Sequence, residues 1–135
     1  NILNKYDIIC DCSDNFTTRY LLNDFCLKNK KILISAAISR FEAHIFNFNF
    51  SKNIPCYRCF MPEIPAEEGR CDTDGILPTV AGIAGTLQAN EVVKSILDKK
   101  NELIGKMIVF NTHSLNFRKI KLTKNTECIK DCNKR

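Results

Sequence analysis

The chain has 135 residues, enough for one domain or part of one, and its 44% hydrophobic and 26% charged composition is that of an ordinary globular protein. No run of 18 or more apolar residues occurs, and the basic, apolar and small-residue zones of a signal peptide are missing, so neither a membrane span nor a secretory leader is expected. The net charge of +5 is dispersed over lysines such as Lys28, Lys30, Lys31, Lys99, Lys100, Lys119, Lys121 and Lys124, with no arginine-rich block interleaved with aromatics, which argues against a nucleic-acid partner.

The sequence opens on Asn1 and enters an apolar segment within a few residues, so a start inside a larger domain is expected. Residues 6–12 read as a buried strand, a short apolar run that turns polar at its end. Ser13, Asp14 and Asn15 follow, all preferred capping residues, and a helix is predicted over 16–28, closed by Asn29 and the lysines beyond it. Its residue Arg19 reads as a solvated helix arginine, with contact to a partner subunit or a nucleotide as the other reading. A second buried strand spans 32–37, and two such strands joined by a helix make a parallel β-α-β unit. Residues 43–50 alternate in their second half, with Phe46, Phe48 and Phe50 on one side and Asn47 and Asn49 on the other, which predicts a half-exposed strand.

Residues 51–75 form a long loop containing Pro55, Pro62, Pro65, Gly69 and Gly75, and loops of this length without their own secondary structure are usually functional or disordered. Pro78 opens a long helix predicted to run to about residue 99. Gly82 and Gly85 inside it cost helicity, which suggests close approach to another backbone. Two further strands are predicted over 106–111 and 117–122, followed by a polar tail.

Eight cysteines are many for this length, and their spacing sorts them. Cys56 and Cys59 form a C-x-x-C pair in the proline-rich loop; Cys128 and Cys132 form a C-x-x-x-C pair in the tail. Thiolates at such spacings can reach one tetrahedral ion, and both pairs lie outside the apolar strands where core cysteines sit. One structural Zn2+ held by Cys56, Cys59, Cys128 and Cys132 is the favoured reading. A full set of four thiolates leaves no open position for catalysis. The other readings are two unconnected reduced pairs, or redox chemistry at Cys56 and Cys59; a redox C-x-x-C would normally follow a strand and open a helix. Cys10, Cys12 and Cys26 read as small core hydrophobes.

Ligands in open α/β sheets bind beyond the carboxyl ends of the strands, where Asp11, Ser13, Asp14 and Asn15 lie. A carboxylate there suits Mg2+ on the phosphates of a nucleotide, and equally Asp14 could do no more than cap the helix behind it. Asn15 could donate to a ligand or take the cap itself.

Asp11-Cys12-Ser13-Asp14-Asn15-Phe16 with Arg19 and Tyr20, then Pro55-Cys56-Tyr57-Arg58-Cys59-Phe60 with Pro62, resemble segments of the MoeB/ThiF/HesA adenylyltransferases, the bacterial-type relatives of ubiquitin-activating enzymes. Cys71 and the run Gly75-Ile76-Leu77-Pro78 with Val80, Gly82, Gly85, Gln88, Ala89 and Glu91 are similar to that family's loop and following helix. Phe110-Asn111 and Phe117-Arg118 with Ile120 and Leu122 match its last strands. The second cysteine pair has one residue more than the C-x-x-C usual in the family.

The resemblance implies an α/β fold, the C-terminal half of a Rossmann-like ThiF/MoeB fold with a mixed sheet and a four-cysteine zinc site. It covers 1–135 as the C-terminal part of one adenylyltransferase domain whose glycine-loop half is absent. The implied reaction joins ATP to the C-terminal glycine of a ubiquitin-like sulfur-carrier protein, giving an acyl-adenylate and pyrophosphate, for molybdopterin or thiamine synthesis. Asp14 then holds Mg2+ and the ATP phosphates, Asn15 lies beside the nucleotide, and Cys71 either handles the carrier's C-terminus or is a spare cysteine. Without the glycine loop and its partner residues this stretch alone is not expected to adenylylate at a normal rate. The resemblance also implies a homodimer and a cytoplasmic location, or an organellar stroma if organelle-encoded. The competing readings are a non-catalytic zinc domain that docks a ubiquitin-like partner through Phe46, Phe48 and Phe50, and a nucleotide-dependent oxidoreductase.

Overall fold

A computed structural model describes residues 2–64, 75–97 and 101–128. Cys71 and Cys132 lie outside the described residues. After a single 3-10 turn at Ile2–Lys5 come β1 (Ile8–Asp11), α1 (Phe16–Lys28), β2 (Ile32–Ser39), β3 (Glu42–Asn49), α2 (Tyr57–Phe60), α3 (Pro78–Ile96), β4 (Lys106–Asn111) and β5 (Asn116–Lys121). The sheet runs β1-β2-β3-β4-β5 in sequence order. β1 pairs parallel with β2, as the β-α-β pattern requires, and every other pairing is antiparallel, so the sheet is mixed.

Two facing cores follow from the side-chain alternation of the strands. On one face Ile9, Leu33, Phe46, Phe48, Phe50, Met107 and Val109 pack under α1 and α2, which supply Tyr20, Cys26, Leu27 and Tyr57. On the other face Ala36, Ala43 and Ile45 pack under α3 through Val80 and Ala84, with Leu103 closing the layer. The phenylalanines form a stacked ladder, with ring centroids 5.4 Å apart for Phe46 and Phe48 and 5.6 Å for Phe48 and Phe50. Each such side chain contributes roughly 1.5–3 kcal/mol by leaving water.

The alternation in β3 is therefore real, but the expected half-exposure is not. All three phenylalanines are buried, and so is Asn47, because helices cover both faces of this strand. Asn47 is accommodated by donating to Glu91 Oε2 at 3.1 Å and Ser95 Oγ at 3.4 Å on α3, while Lys94 pairs with the other oxygen of Glu91. The phenylalanine ladder is interior and offers no docking surface.

α1 ends where expected, with Asn29 donating through its side chain to Phe25 O at 2.8 Å. α3 starts at Pro78 and is described to Ile96. The expected close approach at Gly82 and Gly85 is not seen: a Cβ at either would meet nothing within 4 Å among the described residues. The same helix leaves Val93, Ile96 and Leu97 exposed. β5 is exposed along its whole length, including Phe117. No helix of the described residues is long and apolar enough to cross a membrane.

Candidate functional site

The loop between β1 and α1 is shaped by Asp11, the last residue of β1. Strand alternation turns Asp11 to the same side as Ile9, into the sheet interior, where its carboxylate is fully enclosed. Such burial is tolerable only with partners. Ser13 donates its backbone N–H (3.0 Å) and its hydroxyl (2.6 Å) to Oδ1, and Ser35 of β2 donates its hydroxyl to Oδ2 at 2.7 Å. Arg19 adds the compensating charge, with Nε 3.5 Å from Oδ2, and donates through Nη2 to Ser13 O at 2.7 Å. Arg19 is thus buried, not solvated as the sequence suggested, because one turn into α1 it points back under the loop.

Asn15 caps α1: its Oδ1 accepts from Thr18 N at 2.8 Å. Asp14 is left exposed, with no hydrogen bond or ion pair among the described residues, on the wall of a cavity of 560 Å³. The cavity opens beyond the carboxyl ends of β1 and β2, the region where α/β sheets bind ligands. Cys12, Ser13, Phe16 and Arg19 form one side, Ala37, Arg40 and His44 another, and Ala84, Gly85 and Gln88 of α3 the floor. Asn15 does not line it. Its volume falls within the range of small-ligand sites. On the far wall His44 Nε2 lies 2.7 Å from Glu42 Oε1.

The sequence placed Asp11, Ser13, Asp14 and Asn15 at the strand end and Arg19 and Gln88 in the segments of the resemblance, but not the contacts of Asp11, Arg19 and Gln88, and it did not point to Ser35 or His44. Asp11 carried a signal: it sits at strand spacing from Ile9, so an inward carboxylate was implied. Arg19 and Gln88 stood in the segments of the resemblance without a stated role, and Ser35 and His44 carried no signal that a single sequence exposes.

A second cluster stands at α2, whose Tyr57 and Phe60 pack against Phe46 of the ladder. Cys56 precedes the single helical turn α2, which brings Cys59 back towards it, so the pair opens a helix after all, though only of one turn. The Sγ atoms of Cys56, Cys59 and Cys128 all lie within 4.8 Å of one another; Cys56 is 3.8 Å from Cys59 and 3.5 Å from Cys128. Thiolates around a tetrahedral zinc with bonds of ~2.3 Å stand ~3.8 Å apart, so these three fit one ion. Burial, reinforced by Cys59 and Cys128, pushes the Cys56 thiol up to about 12 without metal, so a cation is what would let these thiolates coexist.

α1 holds this knuckle from below. Asn23 accepts from Tyr57 N at 2.8 Å, Asp24 takes both Arg58 Nε and Nη2 at 2.9 Å, and Tyr20 donates to Met61 O at 2.7 Å. Of the cysteines expected in the core, Cys26 is buried, whereas Cys10 and Cys12 are exposed at the sheet edge and the cavity.

The ThiF family model matches residues 1–130. The adenylyltransferase and sulfurtransferase MOCS3 of Culex quinquefasciatus is 40% identical over 131 residues, which are 95% of this chain and 30% of that protein. The probable molybdopterin-synthase adenylyltransferase of Pyropia yezoensis is 44% identical over 125 residues, 90% of this chain and 33% of that protein. The chain thus spans about a third of the curated relatives it matches. Among solved structures, Escherichia coli MccB with ATP superposes with a TM-score of 0.75 at 19% identity, over 95% of this chain and 41% of that one, a likeness of fold.

Proposed function

The chain belongs to the ThiF family, and on that footing we propose that its protein adenylylates the C-terminal glycine of a ubiquitin-like sulfur carrier with ATP. The names of the relatives favour the molybdopterin-synthase carrier over a thiamine one. One observation carries the reading: a carboxylate with no partner among the described residues, Asp14, on the wall of a nucleotide-sized cavity at the strand ends.

The glycine carboxylate attacks the α-phosphorus of ATP, forming the acyl–phosphate bond while pyrophosphate leaves. Mg2+ supplies charge neutralisation for the phosphates, and Asp14 is the residue that would hold it. Asp14 is suited to this because Asn15 caps the helix, and Asp11 and Arg19 fix the backbone beside it. The apolar share of the walls, Phe16, Ala37 and Ala84, excludes water from the acyl-adenylate. Arg40 and His44 add basic side chains to the lining, which suits an entering carboxylate.

Cys56, Cys59 and Cys128, with Cys132 as the fourth ligand, would hold a structural zinc that clamps the tail to the knuckle. Exposed Val93, Ile96 and Leu97 on α3 support assembly as a homodimer. By the resemblance, Cys71 would either handle the carrier's C-terminus or be a spare cysteine.

The test is to incubate the intact protein with Mg-ATP and a carrier ending in glycine, then look for the carrier–AMP adduct by mass spectrometry. The adduct is expected with that carrier and not with one lacking its last glycine. No adduct with either overturns the reading.

A further inference from the structure

Gln88, in the third turn of α3, is buried to 4% exposure, and its side-chain hydrogen bonds go outside its own helix. Instead the side chain crosses to the sheet. Its Nε2 donates to two main-chain oxygens, Asp11 O at 2.9 Å and Ile34 O at 2.9 Å, and its Oε1 accepts from Cys12 Sγ at 3.2 Å. Both amide hydrogens and the carbonyl oxygen are thereby engaged. The two oxygens belong to the last residue of β1 and to Ile34 in the first half of β2, so one side chain ties the end of β1 and the stretch of β2 beside it to α3.

The bonded residues lead directly to the loop. Asp11 O is held by Gln88, and Asp11 Oδ1 holds Ser13 through its N–H and hydroxyl. Cys12 is held by Gln88, Ser13 O by Arg19, and Asn15 by Thr18 N. Of residues 11–15, Asp14 is the one with no such bond among the described residues, and its neighbours on both sides are anchored.

We propose that Gln88 is a positioning residue: from α3 it sets where the β1–α1 loop presents Asp14 to the cavity. The inference rests on the functional reading in that Asp14 is taken to hold a Mg2+–nucleotide. Gln88 touches the anchoring atoms and acts through them. Removing it takes one hydrogen bond from each of two carbonyl oxygens and loosens the hold of α3 on the loop end, and displacement of a site by about 1 Å can cost up to ~100-fold.

The test uses the intact protein and the volume-conserving substitution Gln88→Met, alone and combined with Asp14→Asn. Three quantities are read: Mg-ATP affinity by calorimetry, hydrogen exchange at the Ser13 amide, and the melting temperature. Gln88→Met is expected to weaken Mg-ATP binding about tenfold in the parent and less than about twofold in the Asp14→Asn background, since residues acting through one another do not add. The Ser13 amide is expected to exchange at least about tenfold faster, with β3 and β4 amides unchanged.

Equal losses in both backgrounds, an affinity within twofold of the parent, or an unchanged Ser13 amide would each overturn the proposal. If the parent itself binds no Mg-ATP, the functional reading fails, and Ser13 exchange still decides whether Gln88 anchors the loop. Should Gln88→Met not fold, Gln88→Glu, which keeps the shape and turns the donor into an acceptor, is read in the same way.

Discussion

Asn15 accepts the capping hydrogen bond of α1 from Thr18 at 2.8 Å, one residue away from the position the bare sequence left open for Asp14. The cap and the free carboxylate are therefore separate residues. Asn15→Ala is expected to lower stability by about 1 kcal/mol, and Asp14→Ala to change it by less than about 0.5 kcal/mol. Urea denaturation of the two variants checks this; a larger loss for Asp14→Ala would return the capping role to it.

The three clustered sulfurs make metal content a direct readout. One zinc per chain is expected by elemental analysis of protein purified without chelator, and Cys56→Ser is expected to lose it along with thermal stability. Protein of wild-type stability with no bound metal would remove the zinc assignment.

Arg58 sits between the two knuckle cysteines and grips Asp24 of α1 by two bonds of 2.9 Å, with its guanidinium 4.4 Å from the Tyr20 ring centroid. Hydrogen bonding to Asp24 raises the Arg58 pKa further. Both side chains are mostly covered, so the pair exceeds a surface ion pair in strength. Arg58→Ala is expected to cost about 1.5–3 kcal/mol, measured by denaturation of the metal-loaded protein.

Burial pushes the Cys26 thiol from 9.0 up to about 12. The folded chain keeps a proton there that the unfolded chain gives up above pH 9. This contribution is whole below that pH and falls away as the pH rises towards 12, by about 1.4 kcal/mol per pH unit. Cys26→Ala is less stable at neutral pH, but its stability is expected to fall less steeply than the parent's over that alkaline interval. Identical slopes would contradict the assignment.

The order of strands and helices was legible because each carries a period or a cap: the apolar run of β2, the Pro78 start of α3, the Asn29 stop of α1. What escaped was tertiary. The polarity of Asn47 suggested solvent, yet Glu91 and Ser95 reach it from 44 and 48 residues away. Arg19 likewise read as a solvated charge because its partner Asp11 is brought to it only by the fold. Gln88 lies 77 residues from Asp11 and 54 from Ile34, a link that no local spacing announces. In the site, the cysteine spacing was informative because metal geometry limits it, whereas the hydrogen-bonded floor of the cavity obeys no sequence spacing.

The most direct measurement is carrier-dependent ATP–pyrophosphate exchange by the intact protein, parent against Asp14→Asn. Loss of a metal-holding carboxylate is expected to lower the exchange rate by roughly 100- to 1,000-fold, in line with the removal of one preorganised electrostatic contact, with the melting temperature unchanged. Exchange within threefold of the parent would contradict the assignment of Asp14 to the nucleotide and its Mg2+.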